Sequence, residues 1–110
     1  MFSGALVAAE MTQSEKSVPV RLGNKVYIVN LDFSLMREIE NELGSASALL
    51  DRFTQKSWKI CELVTITHMM LQAAGETVDY LSLGNLMLKE GLGHYLSSAQ
   101  SFLRLSVHME

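Results

Sequence analysis

In the stretch SVPVRLGNKVYIVNL, residues 17–31, apolar side chains recur at about every second position, and from residue 32 onward they recur every three or four. The first period is that of a half-buried strand, the second that of an amphipathic helix. Val18, Val20 and Leu22 share one side, followed by Val26 and Ile28, with Tyr27, Val29 and Leu31 opposite. Gly23-Asn24 between them forms a two-residue turn that tolerates positive φ, so the segment predicts a β-hairpin. Pro19 has no N–H to give to a ladder, which puts the first strand at an edge. An isolated hairpin is marginal in water. It must lay one face on something apolar, and only the helices that follow can supply it.

Asp32 or Ser34 can accept the free N–H groups of a starting helix. In that helix Phe33, Met36, Ile39 and Leu43 form one stripe, and Gly44 ends it as a left-handed cap. Ser45 opens a second, short helix with Ala46, Leu49, Leu50 and Phe53 on one side, broken by TQKSWK at 54–59. A third starts between 58 and 62 and carries Leu63, Ile66, Met70 and Ala73 to a second terminal glycine, Gly75. GETVDY, residues 75–80, reads as a loop. A fourth helix covers roughly 83–90 and is stopped by Gly91, and a fifth runs from about 94 to 107 with Tyr95, Ala99, Phe102 and Leu103 inward. The pattern predicts an α+β fold, an N-terminal β-hairpin packed on a bundle of four or five short helices. A chain of 110 residues holds one domain and not two, so residues 16–110 are expected as a single domain behind a flexible tail, 1–15.

REIENELG, residues 37–44, looks like a run of carboxylates, but a helix takes it apart. With Met36 at zero, Leu43 falls at about −20°, Ile39 at about −60°, Glu38 at about 200° and Glu42 at about 240°. Glu38 and Glu42 therefore face water. Glu40, at about 40°, stands beside the stripe. A carboxylate there needs hydrogen bonds, and the start of a neighbouring helix offers N–H groups and a favourable dipole. A general acid or metal ligand would need a second positioned group, and helical spacing supplies none.

Composition removes most chemical readings. Apolar residues make up 48% and charged residues 19%, the balance of a folded globular domain. The formal charge is −3 and the nine basic residues are scattered, which argues against nucleic acid. The apolar run at 5–9 is too short for a signal peptide and lacks a basic leader. No stretch approaches a membrane span. Cys61 is the single cysteine, so no intrachain disulfide forms, in keeping with a reducing cytoplasm. At a helix start it is either a reactive thiol or, more commonly, a small apolar filler. His68, His94 and His108 match no ligand spacing, and no nucleophile elbow is present. LGNLMLKEGLG lacks the Ser or Thr after Lys89 and the preceding strand of a phosphate loop. No cofactor and no catalysis are expected.

What remains is apolar. Met36, Met69, Met70 and Met87 lie on helices and Met109 ends the last one. Thioethers fill cores, and they also line pliable grooves that accept varied helices. Met69 and Met70 are about 100° apart and cannot both face one core, so one of them is a candidate contact for a partner. Trp58, in the linker, either anchors that linker or serves as a contact.

A hairpin, then LDFSLMREIENELG, WKICELVTITHMMLQAAGE, LGNLMLKEGL and an apolar last helix resemble the small tail-protein family of gene transfer agents and tailed phages, grouped with tail assembly chaperones and also labelled tail tube proteins. The resemblance covers about 17–107. It rests on Phe33 before a helix, Glu40 and Gly44 at a helix end, Glu62-Leu63 at a helix start, Ala74-Gly75 at a helix end and Gly91-Leu92 after the fourth helix. Cys61 departs from it, standing where a capping Ser, Thr or Asp is expected, and residues 1–15 have no counterpart. The resemblance implies a non-enzymatic protein of a bacterial host's cytoplasm that holds a tape-measure protein, or another tail protein, before tube subunits polymerise around it. It implies Phe33, Glu40, Gly44, Gly75 and Gly91 as fold markers. The alternative it leaves is a structural tail or tube component of the virion, self-associating through an edge strand such as residues 17–22.

Overall fold

The computed structural model describes residues 16–108. The expected flexible tail, 1–15, and Met109 lie outside the described residues. Two strands, β1 (Ser17–Leu22) and β2 (Lys25–Asn30), are followed by five helices: α1 (Phe33–Leu43), α2 (Ala46–Thr54), α3 (Ile60–Ala73), α4 (Tyr80–Glu90) and α5 (Gly93–Val107). The architecture is α+β, an antiparallel hairpin on a helical bundle. At its centre is α3, which packs on α1, α4, α5 and β2, while α5 also packs on β1 and α2. Leu63, Val64, Ile66, Thr67, Met70 and Leu71 are all buried on α3. In α5 the inward residues are the expected Tyr95, Ala99, Phe102 and Leu103.

The hairpin's inner face differs from the expected one. Leu22 pairs with Lys25 across Gly23-Asn24, so even positions of β1 stand opposite odd positions of β2: Val18 opposite Val29, Val20 opposite Tyr27. Val18, Val20 and Val29 are buried, whereas Val26 and Ile28 are 59% and 55% exposed. Val26 and Ile28 thus belong to the outer face with Pro19 and Arg21, their cross-strand partners. Gly23, at φ +61, occupies the first central position of the turn, where a type II′ hairpin wants glycine. The pairs flanking such a turn exchange main-chain bonds, which leaves Pro19 and Arg21 with outward carbonyls. Ser98 Oγ donates to Pro19 O at 3.2 Å and His94 Nε2 to Arg21 O at 3.3 Å. The outer edge of β1 is therefore met by α5, and the same parity turns the main-chain groups of Val26, Ile28 and Asn30 to the other edge of β2, which pairs with no further strand among the described residues.

Helix α1 is rotated from its expected setting. Asp32 caps it, accepting the Leu35 N–H at 3.2 Å, and Leu35 and Ile39 are the buried residues. Their mean direction lies about 80° from Met36 on the wheel. Met36 and Leu43 are consequently half-buried, and Phe33 points away from the core at 77% exposure. Ala73 of the expected α3 stripe is exposed for a similar reason, because Met70 and Leu71 centre the last turn.

Glu40 is exposed as a residue, yet its Oε2 accepts the Ala46 N–H at 2.8 Å, at the first residue of α2. Ser45 caps the same helix, accepting the Ala48 N–H at 3.3 Å. Gly44 makes the corner between the two helices with φ +89, a conformation that costs an L side chain free energy. Elsewhere Tyr95 donates to Glu90 at 2.6 Å and Tyr27 donates to Glu76 at 2.8 Å. Burial first, then the Glu90 carboxylate, pushes the Tyr95 hydroxyl well above the usual tyrosine range, so it stays a donor. Glu40→Ala should lower stability by about 1–3 kcal/mol, the worth of one charge-assisted bond to a part-buried donor. Thermal melts of the two proteins check it, and an unchanged melting temperature would remove this role from Glu40.

Candidate functional site

Helix α4 begins at Tyr80, a turn earlier than the sequence pattern suggests. Asp79 caps it, accepting the Ser82 N–H at 3.0 Å and the Ser82 hydroxyl at 3.1 Å. Those two bonds hold the Asp79 carboxyl below the ordinary aspartate range. The added turn puts Leu81, Gly84, Asn85 and Leu88 on one face, at the i, i+3, i+4, i+7 spacing of a helical stripe. Opposite stand Ile60, Cys61 and Val64 of α3, and the two walls enclose an open groove of about 430 Å³.

The groove is apolar and uncovered. Leu81 is 72% exposed, Leu88 56% and Ile60 48%. Gly84 lies in its floor, where a Cβ would sit 3.6 Å from Val64 Cγ1, ordinary contact distance. Tyr80 stands at one end. Its hydroxyl lies 3.1 Å from Thr65 Oγ1 and donates to Cys61 O at 3.5 Å, and its ring meets His68 edge-on at 5.6 Å. His68 Nε2 in turn donates to Val78 O at 2.8 Å, tying down the loop that leads into α4. Cys61 is exposed on the lip.

The α3 wall is held from outside. Lys59 precedes α3 without a side-chain cap, and Glu62 reaches back instead, accepting the Lys59 N–H at 3.0 Å. Its other oxygen takes the Arg52 guanidinium at 2.8 Å, which links α3 to the end of α2. Burial pushes the Glu62 carboxyl up, but the Lys59 N–H and the Arg52 charge outweigh it and leave it below the usual glutamate range. This half of a capping box serves the helix start, where Lys59 holds the cap position and Cys61, expected there, is the second residue of the helix.

None of the expected partner contacts lines this groove. Met70 is 1% exposed, part of the core, and cannot present itself to a partner. Met69 is half-buried on a second, polar groove between α1 and α3. Trp58 packs edge-on against Phe53 of α2, ring centroids 6.0 Å apart, and anchors the linker there. The expected fold markers lie at corners: Phe33 starts α1, Glu40 joins it to α2, and Gly44, Gly75 and Gly91 follow the ends of α1, α3 and α4. The residues that sequence reasoning missed are Ile60, Tyr80, Leu81 and Leu88. The signal was Asp79, an N-cap residue directly before an apolar stripe.

Among the described residues no group of three or more His, Cys, Asp or Glu could hold a metal ion, and no helix is long and apolar enough to cross a membrane. A family model described as phage tail tube protein, GTA-gp10, matches residues 15–108. No curated protein and no solved structure matches the chain.

The lowered Glu62 carboxyl contributes stability that is present above the ordinary glutamate range and lost as the pH falls through the lowered folded value. Glu62→Gln should therefore melt below wild type at neutral pH, with the gap closing below about pH 4. Melting temperatures across that window check it, and a gap that persists in acid would place the effect elsewhere.

Proposed function

Because the chain belongs to the phage tail tube family described as GTA-gp10, we propose that it acts in phage-like tail assembly without catalysing a reaction, as a chaperone holding an apolar helix of a tape-measure protein in the α3–α4 groove. The observation that carries this reading is the groove itself: Ile60, Leu81 and Leu88 stand around half or more exposed along one trough. Leaving such area in water forgoes roughly 25 cal/mol per Å², and an amphipathic helix laid along the trough recovers it. Binding is transient, because tube subunits compete for the same apolar segments. Release then follows from mass action, and the protein stays in the host cytoplasm.

A second reading has an observation of its own. The outer face of the hairpin exposes Val26 and Ile28 beside a strand edge that pairs with no other strand among the described residues, as a part built into a tail particle would. The edge available for that role is β2, since α5 meets the edge of β1 that the sequence suggested. Proteomics of purified particles separates the two readings: a chaperone is missing from the particle and a structural subunit is abundant.

The groove is tested by Leu81→Lys and Leu88→Lys, exposed positions whose change should leave the melting curve intact. Each should weaken capture of a co-expressed tape-measure segment by about 10-fold or more, the usual loss of a central apolar anchor. Alkylation of Cys61, on the lip, should slow in the complex. Equal capture by wild type and both variants would remove the groove from the mechanism.

A further inference from the structure

The α3–α4 groove does not end at Tyr80. Tyr80, 38% exposed, lines that groove on one side and on the other lines a second groove, of about 560 Å³, between α1 and α3. Its hydroxyl, 3.1 Å from Thr65 Oγ1, holds the ring across the outer face of α3 as a ridge between the two. Along α3, Ile60, Cys61 and Val64 border the first groove, and Thr65, His68, Met69 and Gln72 border the second. From Ile60 to Gln72 the two together follow α3 for about 18 Å, at about 1.5 Å per residue.

The two halves of this trough differ in chemistry. Ile60, Leu81 and Leu88 make the first apolar. The second has Glu38 and Glu42 on its α1 side, with the amides of Asn41 and Gln72, and it runs on past Glu38 and Met69 to Asp32 through a further 310 Å³. No Lys or Arg lines either half or that extension. Arg52–Glu62 is an ion pair, and among the described residues Glu38 and Glu42 form none. Arg37, the cation of α1, is turned about 100° from Glu38 and about 140° from Glu42 on the helix. Like charges one turn apart repel each other, so the group that this half lacks is a positive one.

We propose that the partner helix held in the α3–α4 groove continues over Tyr80 and carries lysine or arginine about two turns beyond its apolar stripe, set against Glu38 and Glu42. This rests on the reading of the groove given above, and adds to it a charge requirement and a direction along α3. The centres of the two halves lie about 10 Å apart along that helix, six or seven residues, which fixes the spacing of stripe and cations in the partner. Tyr80 is the contact midway, and Met69 gives the charged half an apolar wall for the methylene stems of lysine or arginine. The acidic half selects among apolar helices: it attracts those with a basic flank and repels those with an acidic one.

Three synthetic helical peptides of about 18 residues, long enough to span both halves, are the probes. All share one leucine stripe, followed two turns on by a pair of lysines, of glutamates or of glutamines. Their binding is read by fluorescence anisotropy. At about 20 mM salt the wild type should bind the lysine peptide about 10-fold more tightly than the glutamate peptide, with the glutamine peptide between them, and at about 500 mM the three should converge. Glu38→Gln with Glu42→Gln should abolish the preference. Asp51→Lys, which shifts the net charge equally at an exposed position on α2, should keep it. Circular dichroism confirms that each variant is folded. Equal binding of the lysine and glutamate peptides at low salt, or a preference that survives the glutamine pair or is lost with Asp51→Lys, would overturn the proposal. The glutamine peptide separates this failure from that of the groove itself. If it binds wild type and not Leu81→Lys, the groove stands without its charged half; if no peptide binds, both fall.

Discussion

Covering α3 is the condition on which the rest of the fold depends. Six of its fourteen residues are buried, spread around more than one side, so no single neighbour can shield it. The hairpin, α1, α4 and α5 each take one sector. Their own apolar stripes are narrow, which is why each needs α3 as much as α3 needs them. Where that cover runs out, at the first turns of α3, Ile60 and Cys61 are left in the open with the outer face of α4 beside them. The candidate groove is thus a boundary of the core.

The polar bonds follow the same logic. They sit where elements change direction: Asp32, Ser45 and Asp79 at helix starts, Glu40 between α1 and α2, Glu62 between α2 and α3, and His68 on the loop before α4. Tyr27 reaches across to Glu76, and that bond, helped by burial, raises its phenol above the usual range. Packing holds α3 in place, and these bonds choose the angles at which its neighbours leave it.

Much of this was legible in the residues. Period, caps and terminal glycines locate the hairpin and five helices, because those signals are local and the chain obeys them. Two kinds of error arose where a decision was not local. Alternation alone groups Val26 and Ile28 with Val18 and Val20, yet the count across a two-residue turn flips the parity. The stripe of Phe33, Met36, Ile39 and Leu43 includes Ile39 but omits Leu35, the other buried residue of α1, because neighbouring helices set the rotation of a stripe wider than one residue. The groove was missed through a single boundary: starting α4 at residue 83 hid Tyr80 and Leu81. Even with the right start, sequence could not say that Leu81 and Leu88 face water, since an exposed leucine and a buried one have the same spacing.

Gly84 carries a consequence for how the groove could be retuned. It has room for a methyl group against Val64, and because it lines the groove a longer side chain there would take up space between the walls. The width of the groove at this point therefore depends on one residue of the α4 wall that faces Val64 of the α3 wall. Enlarging that residue step by step would grade the space the trough leaves for an apolar side chain laid between Leu81 and Leu88.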